Sequence, residues 1–482
     1  MAFAGFDIGT TTIKAILIDD DGAQVGLAAS PTPVLQSEVT QLDLPRIREF
    51  VDHNLAEFRK THTVQGIAFD SIGESVVPVD LKTRKALDNP LMWHERAPYR
   101  DWLDHQDLIA EHLPWDRCGV IPDYTFSLFK ILWSRRCRNL ETPCWLPVCS
   151  WLAYAYGADP IWESSQASRT AMNDVHAFDW AADVFDKLGL DLALNPISAI
   201  GKKAGETADG IAIGLGGHDH ATAFYGLLRL FQEHPQVVND SMGTAALIST
   251  LLDAPDGQGP KDRFMPWTGT VSMGGRRGEY CLNSDMRYFG SVFETWKQAV
   301  GFGDLDALHR QIEADTTCGE LPLLQIGGDP FAAKSTLGMA LLCPDMNVGP
   351  ARMLQTIYGY YAALARFSLD GFKSLIGPPF WWISGGGPTR NDVLLRWKAS
   401  MLGLPIHVPQ ISELSALGAA IAAMDASGSP ETVTAVKRRM NCRTIDPDSR
   451  LSPQLEELYQ RYRELSAQDF GALAGKIRPK KG

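Results

Sequence analysis

Short apolar runs separated by polar turns open the chain, and the first stretch, Phe3–Gly22, sets the pattern. Ala4-Gly5-Phe6 leads into Asp7 and a polar turn, Gly9-Thr10-Thr11-Thr12. Beyond Lys14 a second apolar run, Ala15–Ile18, ends in Asp19-Asp20-Asp21-Gly22. The pattern predicts a β-hairpin with the threonines at its tip and a third strand by about residue 30. The period then changes. Ile47, Phe50, Val51, Leu55 and Phe58 fall at helical spacing within Leu44–Arg59. Gln65–Phe69 reads as a buried strand ending in the polar turn Asp70–Ser75, and Val76–Asp80 as another strand. A mainly helical stretch begins at Trp93 and extends to about Tyr156. Within it Phe126–Trp133 has a helical apolar face and carries Lys130.

A hydroxyl-rich segment, Ser164–Thr170, precedes Ala171–Trp180. Ile211–Ile213 reads as a short strand, followed by Gly214-Leu215-Gly216-Gly217-His218-Asp219-His220, and Ala221–Leu230 reads as a helix. After His234-Pro235 the opening pattern partly returns: Val237–Ser241 is apolar and strand-like, a turn holds Gly243-Thr244, and Ala245–Ile248 is apolar again. Further on, Val348–Leu375 is helical and Phe380–Ile383 is a strand, followed by Gly385-Gly386-Gly387-Pro388-Thr389-Arg390-Asn391. A helix through Leu394, Trp397 and Met401 closes at Gly403. Leu404–Pro409 is expected as an edge-type strand, Ser412-Glu413 starts a helix of small residues through Ala423, and Leu455–Leu465 is amphipathic. The basic tail Lys476–Gly482 is expected to be solvated.

A length of 482 residues exceeds one ordinary core and predicts two or three domains. His234-Pro235 is the best boundary, dividing the chain into 1–235 and 236–482. A net charge of −12 excludes general affinity for nucleic acid or anionic membrane. No apolar run reaches the length of a membrane span and no signal-type segment opens the chain, so a cytoplasmic location is expected. The eight cysteines form no CxxC pair and read as reduced thiols, and Cys144 and Cys149 lack the partners of a zinc site.

The tip of the opening hairpin offers a carboxylate, three hydroxyls, backbone N–H groups and an ammonium. That mix suits phosphate and its Mg²⁺, although an ordinary Gly-Thr turn has the same residues. Neither GxxxxGK[ST] nor a GxGxxG opening a helix is present, which removes support from the P-loop and Rossmann readings. Four spaced elements remain: DIGTTTIK at 7–14, GGHDH at 216–220, SMGTA at 241–245, and SGGGPTRND at 384–392 with ELSALGAA at 413–420. In this order they resemble the FGGY family of carbohydrate kinases, within the actin-like ATPase superfamily. Two further stretches, SSQASRTAMNDVHAFDW at 164–180 and GGGPTRNDVLLRWKASMLGLPIHVP at 385–409, are similar to segments of that family.

The resemblance implies an α/β fold of two ribonuclease-H-like domains closing on a cleft. Sugar lies mainly against the first domain (1–235) and ATP mainly against the second (236–482). It implies an ATP-dependent kinase for a ketose or polyol, with ATP and Mg²⁺ as cofactors, no nucleic-acid or membrane partner, and a homodimer left open. Asp7 would hold Mg²⁺. Thr10, Thr11, Thr12 and Lys14 would face the phosphates, Gly243-Thr244 would form the second phosphate hairpin, and Gly385, Gly386, Gly387 and Asn391 would border adenine and ribose. Asp219 matches the general base and a substrate contact; its structural alternative is a helix N-cap. His218 and His220 shape the sugar pocket or pack.

For the sugar, Glu74 is the first choice, against a solvated turn carboxylate. Trp93 and Arg96 follow, with core packing as the alternative for Trp93. The family's Trp-x-Asp-x-Arg is here Trp93-His94-Glu95-Arg96, and Ala245 stands where many members carry serine. The glycerol-kinase Arg-Glu pair is absent because Gly73 precedes Glu74, and so is the xylulokinase Met-His. A ketose or longer polyol is therefore expected rather than glycerol. The functional alternatives are a nucleotide-driven switch on the same fold without sugar phosphorylation, and a metal hydrolase built on His218, Asp219 and His220.

Overall fold

Strand Ala2–Ile8 is buried on both faces along its whole length, as expected of a strand at the centre of a covered sheet. A computed structural model of the protein describes residues 1–120, 122–234, 236–243, 246–253, 268–272, 280–286, 289–315, 317, 320–327, 338–343 and 348–466. Ala2–Ile8 pairs antiparallel with Thr12–Asp19, which pairs with Gln24–Pro31. On its other side it runs parallel to Val64–Ser71, which is parallel to Ala212–His218; Lys203–Glu206 closes the six-stranded sheet antiparallel.

A second sheet of seven strands repeats this plan. Val237–Met242 pairs antiparallel with Ala246–Leu252 and parallel with Trp381–Gly385, which is parallel to Ile406–Pro409. Tyr280–Asp285 and Thr268–Ser272 extend the antiparallel side, and Cys442–Ile445 closes the other. In each sheet three parallel strands end together, and a hairpin turns at the tip of the leading one. Open parallel sheets offer ligand sites at such carboxyl ends.

Packing does not follow chain order. Helix Leu414–Ala426, near the C-terminus, is almost entirely buried, and its residues belong to the core of the first sheet. Its small side chains let its backbone lie directly on the strands. A Cβ at Gly5 would fall 2.1 Å from the Ala416 carbonyl oxygen, and one at Gly418 would fall 2.0 Å from that of Thr222 on helix Asp219–Leu230. Asp425 fastens the two helices, accepting from Arg229 Nε at 2.9 Å and Nη2 at 2.7 Å and from the Tyr225 hydroxyl.

Several local expectations need correction. Ile406–Pro409 is not an edge strand, since Cys442–Ile445 pairs along its outer side. The strand expected at 211–213 is longer, running from Ala212 to His218, and its glycines lie against neighbouring backbone and the side chains of Glu163 and Ser165. The helical stretch starts at Tyr99 rather than Trp93, with Pro98 at its N-cap. The basic tail and Pro235 lie outside the described residues. No helix among those described is long and apolar enough to cross a membrane, and none of the described cysteines is in a disulfide.

Candidate active site

The carboxyl ends of the first sheet's parallel strands carry Asp7, Asp70 and His218-Asp219. Asp7 lies directly opposite Asp70 in the parallel ladder and opposite Lys14 in the hairpin. Lys14 Nζ stands 3.8 Å from Asp7 Oδ2 and 2.5 Å from a carboxylate oxygen of Glu413, the residue capping the buried helix from the C-terminal half. Burial pushes the Asp7 carboxyl up to about 6 against the pull of Lys14, and burial beside Asp7 pushes Asp70 well above the usual carboxylate range. Asp219 is close enough to add to both shifts. Thr32 secures the hairpin tip: its hydroxyl donates to the Gly9 carbonyl (2.7 Å) and its amide to that of Thr11 (3.0 Å).

Asp219 is the first residue of its helix, and His218 occupies the N-cap without a side-chain capping bond. The structural alternative for Asp219 is thereby removed. Asp219 Oδ1 accepts from the His220 amide (2.7 Å) and lies 3.1 Å from His218 Nδ1. Behind this turn, fully buried Glu163 caps the short helix Ser164–Ala167 by accepting from the Ser165 and Gln166 amides. Ser165 Oγ in turn accepts the His218 amide at 3.0 Å. The serine-rich segment thus fixes the backbone that presents Asp219. His220 faces the other way, its Nδ1 3.1 Å from Ser241 Oγ on the second sheet.

Glu74 is not a solvated turn residue. Its side chain is 5% exposed and its carboxylate pairs with Arg169, whose Nε donates to Oε1 at 2.6 Å. The Arg169 guanidinium also lies 4.7 Å from the Phe126 ring centre. The Glu74 backbone sits at φ 59°, a conformation non-glycine residues rarely adopt. Ser127 Oγ (3.2 Å) and Lys130 Nζ (3.1 Å) hold it there by donating to its carbonyl. Lys130 Nζ also donates to the Trp93 carbonyl at 3.0 Å, and burial brings its amine down to about 7. Trp93 Nε1 donates to Thr10 Oγ1 at 3.0 Å, joining the sugar-side segment to the phosphate hairpin. Glu95 accepts the amides of Thr40, Arg96 and Ala97, so its carboxylate is committed to the loop; Arg96 is exposed. Gly73 leaves room for a neighbour, since a Cβ there would meet the His218 ring at 2.4 Å.

Across from this, Gly243 follows Met242, which ends the second sheet's leading strand. Buried Lys398 steadies it by donating to both Asp240 oxygens at 2.7 and 2.6 Å. Thr244 lies outside the described residues. Gly385 ends the adjacent strand, and Gly386, at φ 97°, brings the loop against that strand end, where a Cβ would fall 1.9 Å from the Met242 carbonyl oxygen. Gly387 is exposed. Asn391 caps helix Asp392–Leu402 through Leu394 N (3.1 Å) and donates to the Tyr358 hydroxyl (2.5 Å), so both ends of its amide are engaged.

For Mg²⁺, the test is the donor set. Asp7 Oδ1 and both Asp70 carboxylate oxygens are buried without a hydrogen-bond partner, and hard carboxylate oxygens suit Mg²⁺. Among the described residues no group of three or more His, Cys, Asp and Glu is disposed as a complete metal cage. Mg²⁺ that serves phosphates commonly takes only one or two protein carboxylates. The residues fit.

Of the residues singled out in the sequence, Asp7, Lys14, Thr10, Trp93, Glu74 and Asp219 lie on linked segments at the carboxyl end of the first sheet. Asp70, Arg169, Glu413 and Ser165 lie in stretches the sequence marked out, the turn at 70–75, the segment 164–170 and ELSALGAA, but none of the four was given a role of its own.

Residues 2–224 match the sequence model of the N-terminal domain of the FGGY family of carbohydrate kinases, and residues 345–427 that of its C-terminal domain. A glycerol kinase of Trichlorobacter lovleyi is 23% identical over 450 residues, covering 86% of this chain and 88% of the relative. Among solved structures, a ligand-bound xylulose kinase from Lactobacillus acidophilus superposes with a TM-score of 0.81 at 16% identity, covering 99% of this chain and 100% of that one. A Plasmodium falciparum glycerol kinase with ADP gives 0.77 at 16%, covering 97% and 98%. These likenesses show the two-domain actin-like ATPase fold.

Proposed function

The chain belongs to the FGGY family of carbohydrate kinases, enzymes that transfer phosphate to an alcohol group, and on that premise we propose that Asp219 is the base of an ATP-dependent sugar or polyol kinase. The carrying observation is that Asp219 stands at the same carboxyl end of the first sheet as Asp7, close enough to raise its carboxyl, with Lys14 beside Asp7, while His220 next to it lies 3.1 Å from Ser241 on the second sheet. Phosphoryl transfer needs positioning, charge neutralisation and a proton acceptor rather than a covalent partner.

In this reading Asp219 takes the proton of the acceptor hydroxyl as its oxygen bonds to the γ-phosphorus and the bond to ADP breaks. His218 orients the carboxylate. Lys14 and the amides and hydroxyls of Thr10, Thr11 and Thr12 receive phosphate oxygens, with Gly243 and Thr244 opposite. Gly386 and Gly387 give the nucleotide close backbone, while Asn391 shapes that wall through its cap. Asp7 would hold Mg²⁺, which when bound would neutralise charge on the phosphates.

The acceptor's other hydroxyls meet Glu74, Arg169 and Trp93. Similarity to a glycerol kinase and to a xylulose kinase structure supports a polyol or ketose acceptor. The fixed Glu74–Arg169 pair offers both an acceptor and a donor, which suits an acceptor with several adjacent hydroxyls. The test is ADP release across a panel of ketoses and polyols with wild type and Asp219→Asn. The variant is expected to keep ATP binding and lose about 10²–10⁴ in turnover. Turnover equal to wild type would remove Asp219 from the role.

A further inference from the structure

Asp70 is not needed to explain the phosphate hairpin or the base, yet it is fully buried at the site. Its side chain is fully enclosed and neither oxygen has a partner. It stands in register with Asp7 on the neighbouring parallel strand, near enough for the two carboxyl groups to interact directly. Asp7 Oδ1 is likewise buried and unpartnered. Lys14, the cation beside Asp7, approaches only Oδ2 at 3.8 Å and is held more closely by Glu413. Three buried carboxylate oxygens therefore lie in one small region, and no donor outside the pair reaches them. A buried carboxylate pair of this kind is costly in its fully charged form, and either a shared proton or a bound cation offsets that cost. The donors are hard oxygens, which selects a small divalent ion such as Mg²⁺ or Mn²⁺.

We propose that Asp70 joins Asp7 in a two-carboxylate site that takes up a divalent cation before nucleotide arrives, so that the phosphates complete the shell of a metal already in place. The proposal rests on the kinase reading for the identity of the incoming ligand. It assigns Asp70 a ligand role that the hairpin motif alone gives to Asp7.

The experiment is Mn²⁺ titration of the nucleotide-free, full-length protein, read by the loss of the free-ion electron paramagnetic resonance signal. Wild type is expected to bind Mn²⁺ without nucleotide, and Asp70→Asn and Asp70→Ser to bind it at least tenfold more weakly. Thermal midpoints give a second readout: Mn²⁺ should raise the midpoint of wild type by mass action and leave both variants unmoved. Wild type that takes up no Mn²⁺ in the absence of nucleotide overturns the proposal, and this needs no variant to fold. Variants that bind as wild type overturn it equally. Wild-type turnover on the sugar and polyol panel is measured separately. Mn²⁺ uptake without turnover on any acceptor would sink the kinase reading and leave the metal site; turnover without prior uptake would do the reverse.

Discussion

Replacing Arg169 with methionine isolates the element that holds the sugar-side carboxylate. The side chain of Glu74 is 5% exposed and that of Arg169 23% exposed. Removing the cation strands a buried carboxylate, and breaking such a pair costs on the order of 3–5 kcal/mol. Water reaching the partly open guanidinium side lowers the expectation to about 2–3 kcal/mol. Loss of the stacking on Phe126 is included in that range. Glu74→Gln keeps the shape and leaves Arg169 in contact with water, so it should cost only about 1 kcal/mol. In the double variant no unpaired charge remains, and its loss should fall short of the sum of the singles by at least 1 kcal/mol. Two assays read the cycle. Thermal unfolding should fall by about 4–10 °C in Arg169→Met, at a few degrees per kcal/mol for domains of this size. On the best acceptor from the panel, kcat/KM should show the same non-additivity, expressed as a difference in transition-state stabilisation. Additive single effects would refute the pairing, as would an Arg169→Met protein with wild-type midpoint and kinetics.

Gly386→Ala places a Cβ 1.9 Å from the Met242 carbonyl at a backbone φ of 97°. Such strain costs of the order of 1–3 kcal/mol and should weaken ADP binding about tenfold by calorimetry; unchanged affinity would count against the loop's place at the nucleotide. Lys130 supplies a pH test. Its amine titrates at about 7 in the folded protein because of burial, against about 10.4 in the unfolded chain. Below pH 7 both states hold the proton and the burial cost is fully present. Between about 7 and 10 the unfolded chain holds more protons, so stability rises with pH, by up to about 1.4 kcal/mol per unit. Lys130→Met should flatten that limb in midpoints taken from pH 7 to 9.5; equal slopes would remove Lys130 as its source.

What the sequence made legible was local: an acid ending an apolar run, glycines and threonines at a tip, a lysine two residues into the return strand. Asp7 and Lys14 could be paired from spacing because a hairpin brings its own two strands together. Asp219 followed from the family resemblance, since its place at a helix start argued only for a cap. The partners that were missed depend on register and on distant packing. Asp70 meets Asp7 only once the two strands align in parallel, and Arg169 reaches Glu74 across 95 residues. The strand Cys442–Ile445 is too short and polar to announce itself, so Ile406–Pro409 read as an edge. Glu95, a plausible stand-in for the family aspartate, is occupied by three loop amides that no pattern discloses.

The helix that lies on the first sheet has a consequence for how the protein is made. Residues 414–426 emerge from a ribosome only after nearly 200 residues of the second sheet's chain have followed residue 230. Until then the glycine floor of the first sheet, prepared for a backbone in contact, is open and apolar. The N-terminal half therefore cannot complete its core as a vectorial, domain-by-domain event. Its closing contacts are among the longest-range in the chain, which favours slow maturation and dependence on chaperone shelter. The same thread gives the mature enzyme a quality check: a chain truncated before this helix lacks both the Glu413 contact to Lys14 and the roof of the first core.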